Sequence, residues 1–385
     1  MEEIAIRNLG PVENVKVTLG DLTILTGVQA SGKSLFLQVL KLLVDKRHIA
    51  GTLDRYNYVL TKNPQNILNV YLGEGMADVW TDETVVEADG RVYGRDCLLG
   101  AFARAEGEKV FYIPAQRILS ISDGRPKNFM EFDLATPYVL RFFSETLRLF
   151  FQSGMGNAHS LFPVRNRLKE ALRNSFDKNI FHGGRVIVDE RSGQKKMRLE
   201  VGGLSLPFMT WSAGQKEFMP LLMAFYCLSG PPQRIVNREQ YEYIVIEEPE
   251  MGLHPQAIQA VILQIIEFLR MGYKVIVSTH SPVLLEFVWA YNLLKNVAEP
   301  KRARAMFELF CLGQSQMSYS FFDAIFNKSI KTFYFSRKRG GVVSVDISSL
   351  DAYSDNVDIS EWGGLSQFST RTSEVVSKYM AEYDK

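Results

Sequence analysis

Three cysteines in 385 residues, Cys97, Cys227 and Cys311, are too few and too scattered for a disulfide framework. None of them forms a CxxC pair of the kind zinc takes. An odd count without that spacing fits a reducing cytoplasm. The chain also lacks an excess of either charge. Its 44 Lys and Arg stand against 43 Asp and Glu, for a net charge of +1. Any basic surface for nucleic acid must therefore be local. No apolar run suits a bilayer span, which needs about 20 residues. The most apolar helix-like stretch, Phe218 to Leu228, is much shorter, so a soluble chain without a membrane partner is expected. The start, MEEIAIRN, is acidic and has no apolar core, which argues against a signal peptide. Repeats and low-complexity tracts are missing too. What is present is ordinary globular composition, 46% apolar, enough for one large core or two smaller ones.

Short apolar runs alternate with helical patterns. Residues 4 to 26 read as strands: Val15, Val17 and Leu19 alternate with polar residues, and Leu22 to Leu25 is continuously apolar. An apolar helix follows from Ser34 to Val44. Residues 66 to 95 read as further short strands, with Asp89-Gly90 as a hairpin turn. Val110 to Ile113 is a buried strand stopped by Pro114, and residues 128 to 180 are mostly helical in pattern. A hairpin comes next, RVIVD and KMRLEV around Arg191-Ser192-Gly193. It is followed by a helix after Ser212, the strand YEYIVIEE, a helix from about Pro255 to Met271 and the strand YKVIVST. The hairpin KTFYFSRKRGGVVSVDI and a polar tail end the chain. This alternation predicts an α/β fold: a mostly parallel central sheet, an antiparallel β subdomain and a short helical insertion. The expected layout is a single domain over 1–385. Within it, 1–127 is an N-terminal lobe, 128–205 a helical insertion with its hairpin, 206–300 a second lobe, and 301–385 a C-terminal helix and strands. Such sheets place their chemistry at the carboxyl ends of the strands.

Three motifs fall at those ends. Gly27-Val28-Gln29-Ala30-Ser31-Gly32-Lys33-Ser34, followed by Leu35, is a full GxxxxGKS between an apolar strand and an apolar helix. Its glycines let backbone N–H groups curl inward, and the helix start adds a positive dipole end. Lys33 supplies a charge for β/γ-phosphates and Ser34 a hydroxyl for Mg²⁺. The strand Ile244-Val245-Ile246 leads into Glu247-Glu248-Pro249-Glu250. One acid there can serve Mg²⁺ and the next can take a proton from water. Adjacent strand residues face opposite ways, so this needs the strand to end between the two acids, as Pro249 suggests. Ser278-Thr279-His280-Ser281-Pro282 puts a histidine at the end of the strand expected beside it. Taken alone, each acid or histidine would be read as a polar strand exit; beside a phosphate loop they point to catalysis. A fourth stretch, TWSAGQKEFMPL, has the S-x-x-Q spacing of a capping box at Ser212 and Gln215. Gly214 removes a side chain where that helix start would face an anion. A second anion-ready helix start makes sense if it closes over nucleotide held by another copy.

In order and content these motifs resemble an ABC-type ATPase head, a P-loop NTPase. The details GVQASGKS, WSAGQKE, EEPEMGLHP and STHSP are similar to the SMC/RecF/OLD group, not to transporter ATPases. The resemblance spans most of residues 1 to 290. It implies that two heads sandwich two ATP molecules, with Ser212, Ala213, Gly214 and Gln215 of one head acting on nucleotide held by the other. It implies that Ser34, Glu247 and a Q-loop glutamine serve Mg²⁺, Gln116 in YIPAQR being the candidate. Glu248 becomes the general base and His280 the switch. Two departures stand out: Trp211 and Ala213 replace the usual leucine and glycine of the signature, and Glu247 replaces an aspartate common elsewhere. The segment 128–180 sits where relatives carry a coiled coil and is short for one. OLD-type relatives often continue into a Toprim nuclease with a DxD motif, and no DxD follows His280. The resemblance thus implies an ATPase controlling a separate effector, a Toprim-like nuclease or other toxin, in bacterial anti-phage defence. The alternative is a RecF-like ATPase that binds DNA in repair. The clusters Lys301-Arg302-Arg304 and Arg337-Lys338-Arg339 suit DNA phosphates, but runs this short fit solvated turns better.

Overall fold

The computed structural model describes residues 1–61, 63–95, 107–154, 160–190, 193–232, 236–313 and 317–383. Cys97 and the turn residues Arg191 and Ser192 lie outside them.

The chain opens with an antiparallel pair, β1 (Glu3–Leu9) and β2 (Val12–Thr18). β3 (Leu22–Gly27) is buried at every residue and runs through the phosphate loop into α1 (Lys33–Arg55). This helix outlasts its expected end at Val44. Asp45 leaves helical geometry (φ −111°, ψ 18°) but bends the helix without stopping it. Its carboxylate accepts from the backbone N–H groups of Lys109 and Val110 at 2.8 and 3.1 Å, and from Lys41 Nζ at 2.8 Å. Those bonds replace the intrahelical ones lost at the bend.

The expectation of strands from residue 66 is corrected at its start. Residues 64–72 form α2 (Pro64–Leu72). Asn63 caps it by accepting from Gln65 N at 3.0 Å, and Pro64 fits the first helical position. Ile67, Leu68, Val70, Tyr71 and Leu72 then bury one face. Strands begin only at β4 (Trp80–Ala88), which turns at Asp89-Gly90 into β5 (Arg91–Tyr93). β6 (Val110–Ile113) follows, then a short hairpin of β7 (Ile121–Ser122) and β8 (Arg125–Pro126). The insertion holds α3 (Tyr138–Leu149), β9 (Ser160–Phe162) and α4 (Glu170–Phe176), so it is helical but interrupted by a strand. β9 pairs with β10 (Arg185–Asp189), whose hairpin partner β11 (Lys196–Val201) turns at Gly202-Gly203 into β12 (Leu204–Pro207). These four make a separate antiparallel sheet.

The second half runs α5 (Ala213–Ser229), β13 (Tyr243–Glu247), α6 (Pro255–Arg270), β14 (Lys274–Ser278), α7 (Pro282–Leu294), α8 (Lys301–Leu309) and α9 (Tyr319–Asp323). The hairpin β15 (Ile330–Lys338) and β16 (Gly341–Asp346), α10 (Val357–Ser360) and α11 (Gln367–Tyr383) complete it.

The main sheet has ten strands in the order β5-β4-β1-β2-β16-β15-β3-β14-β13-β6. The five from β15 to β6 are parallel, and the N-terminal strands are antiparallel to one another. The antiparallel region is thus continuous with the parallel one, because β16 pairs parallel with β2. Parallel strands are covered on both faces. Val245 and Ile276 pack with Phe36 and Leu40 of α1, while Ile244, Ile246 and Val275 pack with Phe218 and Leu222 of α5 and Ile262 of α6. The alternation is the strand period of two. Among the described residues no helix is long and apolar enough to cross a membrane.

Candidate nucleotide site

The carboxyl ends of β3, β13 and β14 meet at one cavity of about 540 Å³. One wall is the phosphate loop. Gly27 (φ +154°) ends β3 so close to β15 that a Cβ would lie 2.8 Å from Phe335 O. Gly32 (φ +84°) caps α1 in a left-handed conformation that a side chain rarely adopts. Gln29, Ala30, Ser31, Gly32, Lys33, Ser34 and Leu35 all line the cavity; Val28 is exposed and is not among the lining residues. Lys33 Nζ donates to Gly27 O at 2.9 Å, Val28 O at 3.0 Å and Ser31 Oγ at 3.2 Å. Burial pushes its pKa down to about 8, and the charges of Glu248, Glu250 and Glu247 oppose the shift. The remaining wall is apolar apart from Gln38: Pro11, Leu72, Met76, Val79, Ala135 and Pro137.

The opposite side is acidic. β13 stops at Glu247, and Glu248 turns into a left-handed conformation (φ +43°) that is costly for a non-glycine residue. This resolves the problem of adjacent acids facing opposite ways. Glu248 N donates to Ser278 O at 2.8 Å, and its carboxylate reaches the cavity, 3.7 Å from His280 Nε2. Glu247 stays buried. One carboxylate oxygen accepts from Ala115 N at 3.2 Å, and the other, Oε1, has no hydrogen-bond partner among the described residues. Burial pushes the Glu247 carboxyl up, and the nearby Ser34 hydroxyl counts against that shift. A buried unpartnered carboxylate oxygen next to a hydroxyl is a fitting donor set for Mg²⁺.

His280 is held by its backbone. His280 N and Thr279 Oγ1 both donate to Glu250 Oε1, at 2.6 and 2.8 Å. Burial and the Lys33 charge push the imidazole pKa down, so the ring is neutral at neutral pH. Glu250, whose carboxyl burial pushes up, was passed over in the sequence as the tail of an acidic strand exit. The only signal for it was its place two residues after Glu248.

Five other expected residues sit elsewhere. Gln116 is exposed and does not line the cavity; its neighbour Arg117 is buried and donates to the main-chain carbonyls of Glu247 and Glu248. Ser212, Ala213, Gly214 and Gln215 are likewise not among the lining residues. The capping box is present, with Gln215 N donating to Ser212 Oγ at 3.3 Å and Ser212 N to Gln215 Oε1 at 3.2 Å. Ser212 and Ala213 are exposed. Gln215 also donates to Ile180 O, which ties α5 to the insertion. Gly214 has a reason inside the chain: a Cβ there would lie 2.8 Å from Gly252 O. Trp211 is buried against Phe208, its indole N–H donating to Leu206 O at 3.1 Å. Of the basic clusters, Arg302 pairs with Asp323 and Glu299, Lys338 with Asp358, and Arg337 donates to Ala30 O of the phosphate loop at 2.9 Å.

No curated protein sequence matches the chain. A solved SMC head bound to the C-winged helix domain of ScpA shares 14% identity at a TM-score of 0.41, covering 90% of this chain and 96% of that one. An SMC head domain from Thermotoga maritima shares 10% at 0.37, covering 90% and 98%. The dimeric bacterial ABC transporter cassette MJ0796 shares 13% at 0.33, covering 74% and 90%. Values this low leave the reading to the chain's own residues. Residues 138–286 match the family model described as "AAA domain, putative AbiEii toxin, Type IV TA system". That stretch takes in α5, Glu248 and His280, and the phosphate loop lies across one cavity from the last two.

Proposed function

We propose that the chain binds ATP, hydrolyses it with Mg²⁺, and closes head-to-head on a second copy of itself around the nucleotide. The observation that carries this reading is a separation. Lys33, Glu248 and His280 share one cavity, whereas the capped start of α5 is exposed and away from it. An anion-ready helix start that misses its own chain's site is suited to a neighbour's. Backbone N–H groups of Gly27 to Ser34 and the Lys33 ammonium hold the phosphates. The apolar wall from Pro11 to Pro137 suits the base and ribose. Ser34 and Glu247 would hold Mg²⁺, which would neutralise phosphate charge during hydrolysis. Glu248 takes the proton of the attacking water, and His280 orients that water.

The finer role is control of a separate effector chain in anti-phage defence. The family description, with its toxin and toxin–antitoxin system, supports a two-chain arrangement of this kind. The ATPase half of the phage anti-restriction-induced system, whose partner is Toprim-like, has the layout that the motifs resemble. Purified alone, the chain should then hydrolyse ATP and leave DNA intact with Mg²⁺ or Mn²⁺. Metal-dependent cleavage lost on mutating this chain would sink the separate-effector reading. The alternative, a RecF-like DNA-binding head, has less support, since Arg302, Arg337 and Lys338 already have partners. ATPase activity stimulated by DNA would favour it.

Mixing Lys33→Ala with Ser212→Arg protein tests the two-chain site. In a mixed pair, one composite site keeps an intact phosphate loop and an intact α5 start, while the other carries both lesions. Activity should return in a mixture of two inactive parents that exchange subunits. If exchange occurs and no activity returns, or if Ser212→Arg loses ATP binding as a folded monomer, α5 has only a local cap and the two-chain site is wrong.

A further inference from the structure

A buried arginine joins the two halves of the proposed site inside one chain. Arg117, fully buried, opens the turn after β6. Its Nε donates to Glu217 O in the first turns of α5 at 3.2 Å. Its Nη1 donates to Glu247 O at 3.2 Å and to Glu248 O at 3.1 Å. An arginine without water is costly unless it is well bonded, and burial pushes its pKa down against the charges of Glu217, Glu250, Glu248 and Glu247. The fold keeps it nonetheless, with Nη2 unpartnered among the described residues. The three carbonyls it holds are not equivalent. Two flank the left-handed Glu248, and the third belongs to the helix whose start is Ser212.

A guanidinium is planar and its donors form a rigid fork. A shift of Glu217 O therefore turns the fork, and the turn displaces the peptide groups on both sides of Glu248. A second contact runs alongside. Gly214 lies against Gly252 O, and the Glu217 side chain lies against the Cβ position of Gly252. The start of α5 and the loop after β13 are thus in direct contact as well as joined through Arg117.

We infer that Arg117 is a positioning residue for Glu248, and that it makes the setting of that carboxylate depend on where the first turns of α5 stand. This rests on the reading of Glu248 as general base and of Ser212 as the contact to a neighbour's nucleotide. A head whose α5 has engaged a second nucleotide would set its own Glu248 for hydrolysis, so each site of a pair reports on the other.

Arg117→Lys tests this, because it keeps the charge and loses the fork. The variant should fold, with a lowered melting temperature, and bind ATP with unchanged affinity. Its kcat should fall by at least about tenfold with KM unchanged, since a small misplacement of a catalytic group costs that much. In a Glu248→Gln background, the same substitution should change the residual rate by less than about twofold, as expected of residues acting as one unit. A wild-type kcat in folded Arg117→Lys, a loss of ATP affinity, or an equal loss of rate in both backgrounds overturns the inference. If the lysine variant does not fold, Arg117→Met takes its place; if neither folds, the arginine is a stability residue and the inference is overturned. The underlying reading fails separately, by Glu248→Gln hydrolysing ATP at the wild-type rate.

Discussion

Lys33 gives a test with a magnitude set by the structure. Without phosphate its ammonium is bonded to Gly27 O, Val28 O and Ser31 Oγ, and burial holds its pKa at about 8. Phosphate needs the charged form, and bound phosphate raises the pKa. Nucleotide binding must then take up a proton wherever the free lysine has lost one. With a free pKa of about 8, about one lysine in ten is neutral at pH 7 and about nine in ten at pH 9. Affinity should fall by about tenfold between those values, or about 1.4 kcal/mol. Proton uptake on binding should rise from about 0.1 to about 0.9 over the same interval. The assay is calorimetric titration with ADP in EDTA, in two buffers of different ionisation heat, at pH 7, 8 and 9. EDTA leaves the lysine as the reporter, and ADP avoids hydrolysis. Lys33→Arg is the control, because a guanidinium stays charged throughout. Its affinity, whatever its value, should be level where the wild type falls. A wild-type affinity level to pH 9.5, or an equal fall in Lys33→Arg, refutes the reasoning.

Three further variants have defined outcomes. Glu248→Gln should bind ATP and retain it, with hydrolysis down by about 10²- to 10⁴-fold in a phosphate-release assay; a wild-type rate removes Glu248 as base. Glu247→Gln should raise the melting temperature of the ligand-free protein, because burial holds the native carboxyl above its unfolded pKa, so its charged form costs stability that grows as pH rises past 4.5. The same variant should lose the added affinity that Mg²⁺ gives to ATP, measured with and without EDTA. Gly214→Ala should destabilise the nucleotide-free chain, because a Cβ 2.8 Å from Gly252 O costs about 1–3 kcal/mol against at most about 1 regained in helix propensity. Denaturant unfolding without nucleotide checks it, and unchanged stability would assign that glycine to the partner's anion.

The legible parts of this site are those built by neighbouring residues. The strand–loop–helix of Leu22 to Leu35 is local, since its glycines, lysine and serine act within a few positions. The ends of β13 and β14 were legible for the same reason: an apolar run must stop, and Glu248 and His280 come where it does. The strand reading from residue 66 gives way to helix up to Leu72 because period-two and helical patterns overlap in a short apolar run; the start signal that separates them is Asn63-Pro64. Arg117 was hidden for a different reason. Its partners lie 100 to 131 residues away, and nothing near YIPAQR announces them. Gly214 was noticed, but its nearest neighbour is Gly252, brought there by the path of the chain after β13. Spacing named the glycine and gave it to an anion; packing gives it a contact within the chain.

The charges around the cavity make sense only with a ligand in place. Burial pushes Lys33 down and Glu247 and Glu250 up, so the ligand-free site disfavours the charged forms on both of its walls. A polyanion beside Lys33 reverses the first shift, and a divalent cation beside Glu247 reverses the second. Neither reverses both. Nucleotide with Mg²⁺ does, because it brings both signs to one place, and whatever binds the folded state alone stabilises it. The rise in melting temperature with ATP and Mg²⁺ together should therefore exceed the sum of the rises with each alone. The loop carrying Glu248, strained at φ +43° and tied to α5 through Arg117, is where that added stability can be spent on setting the base.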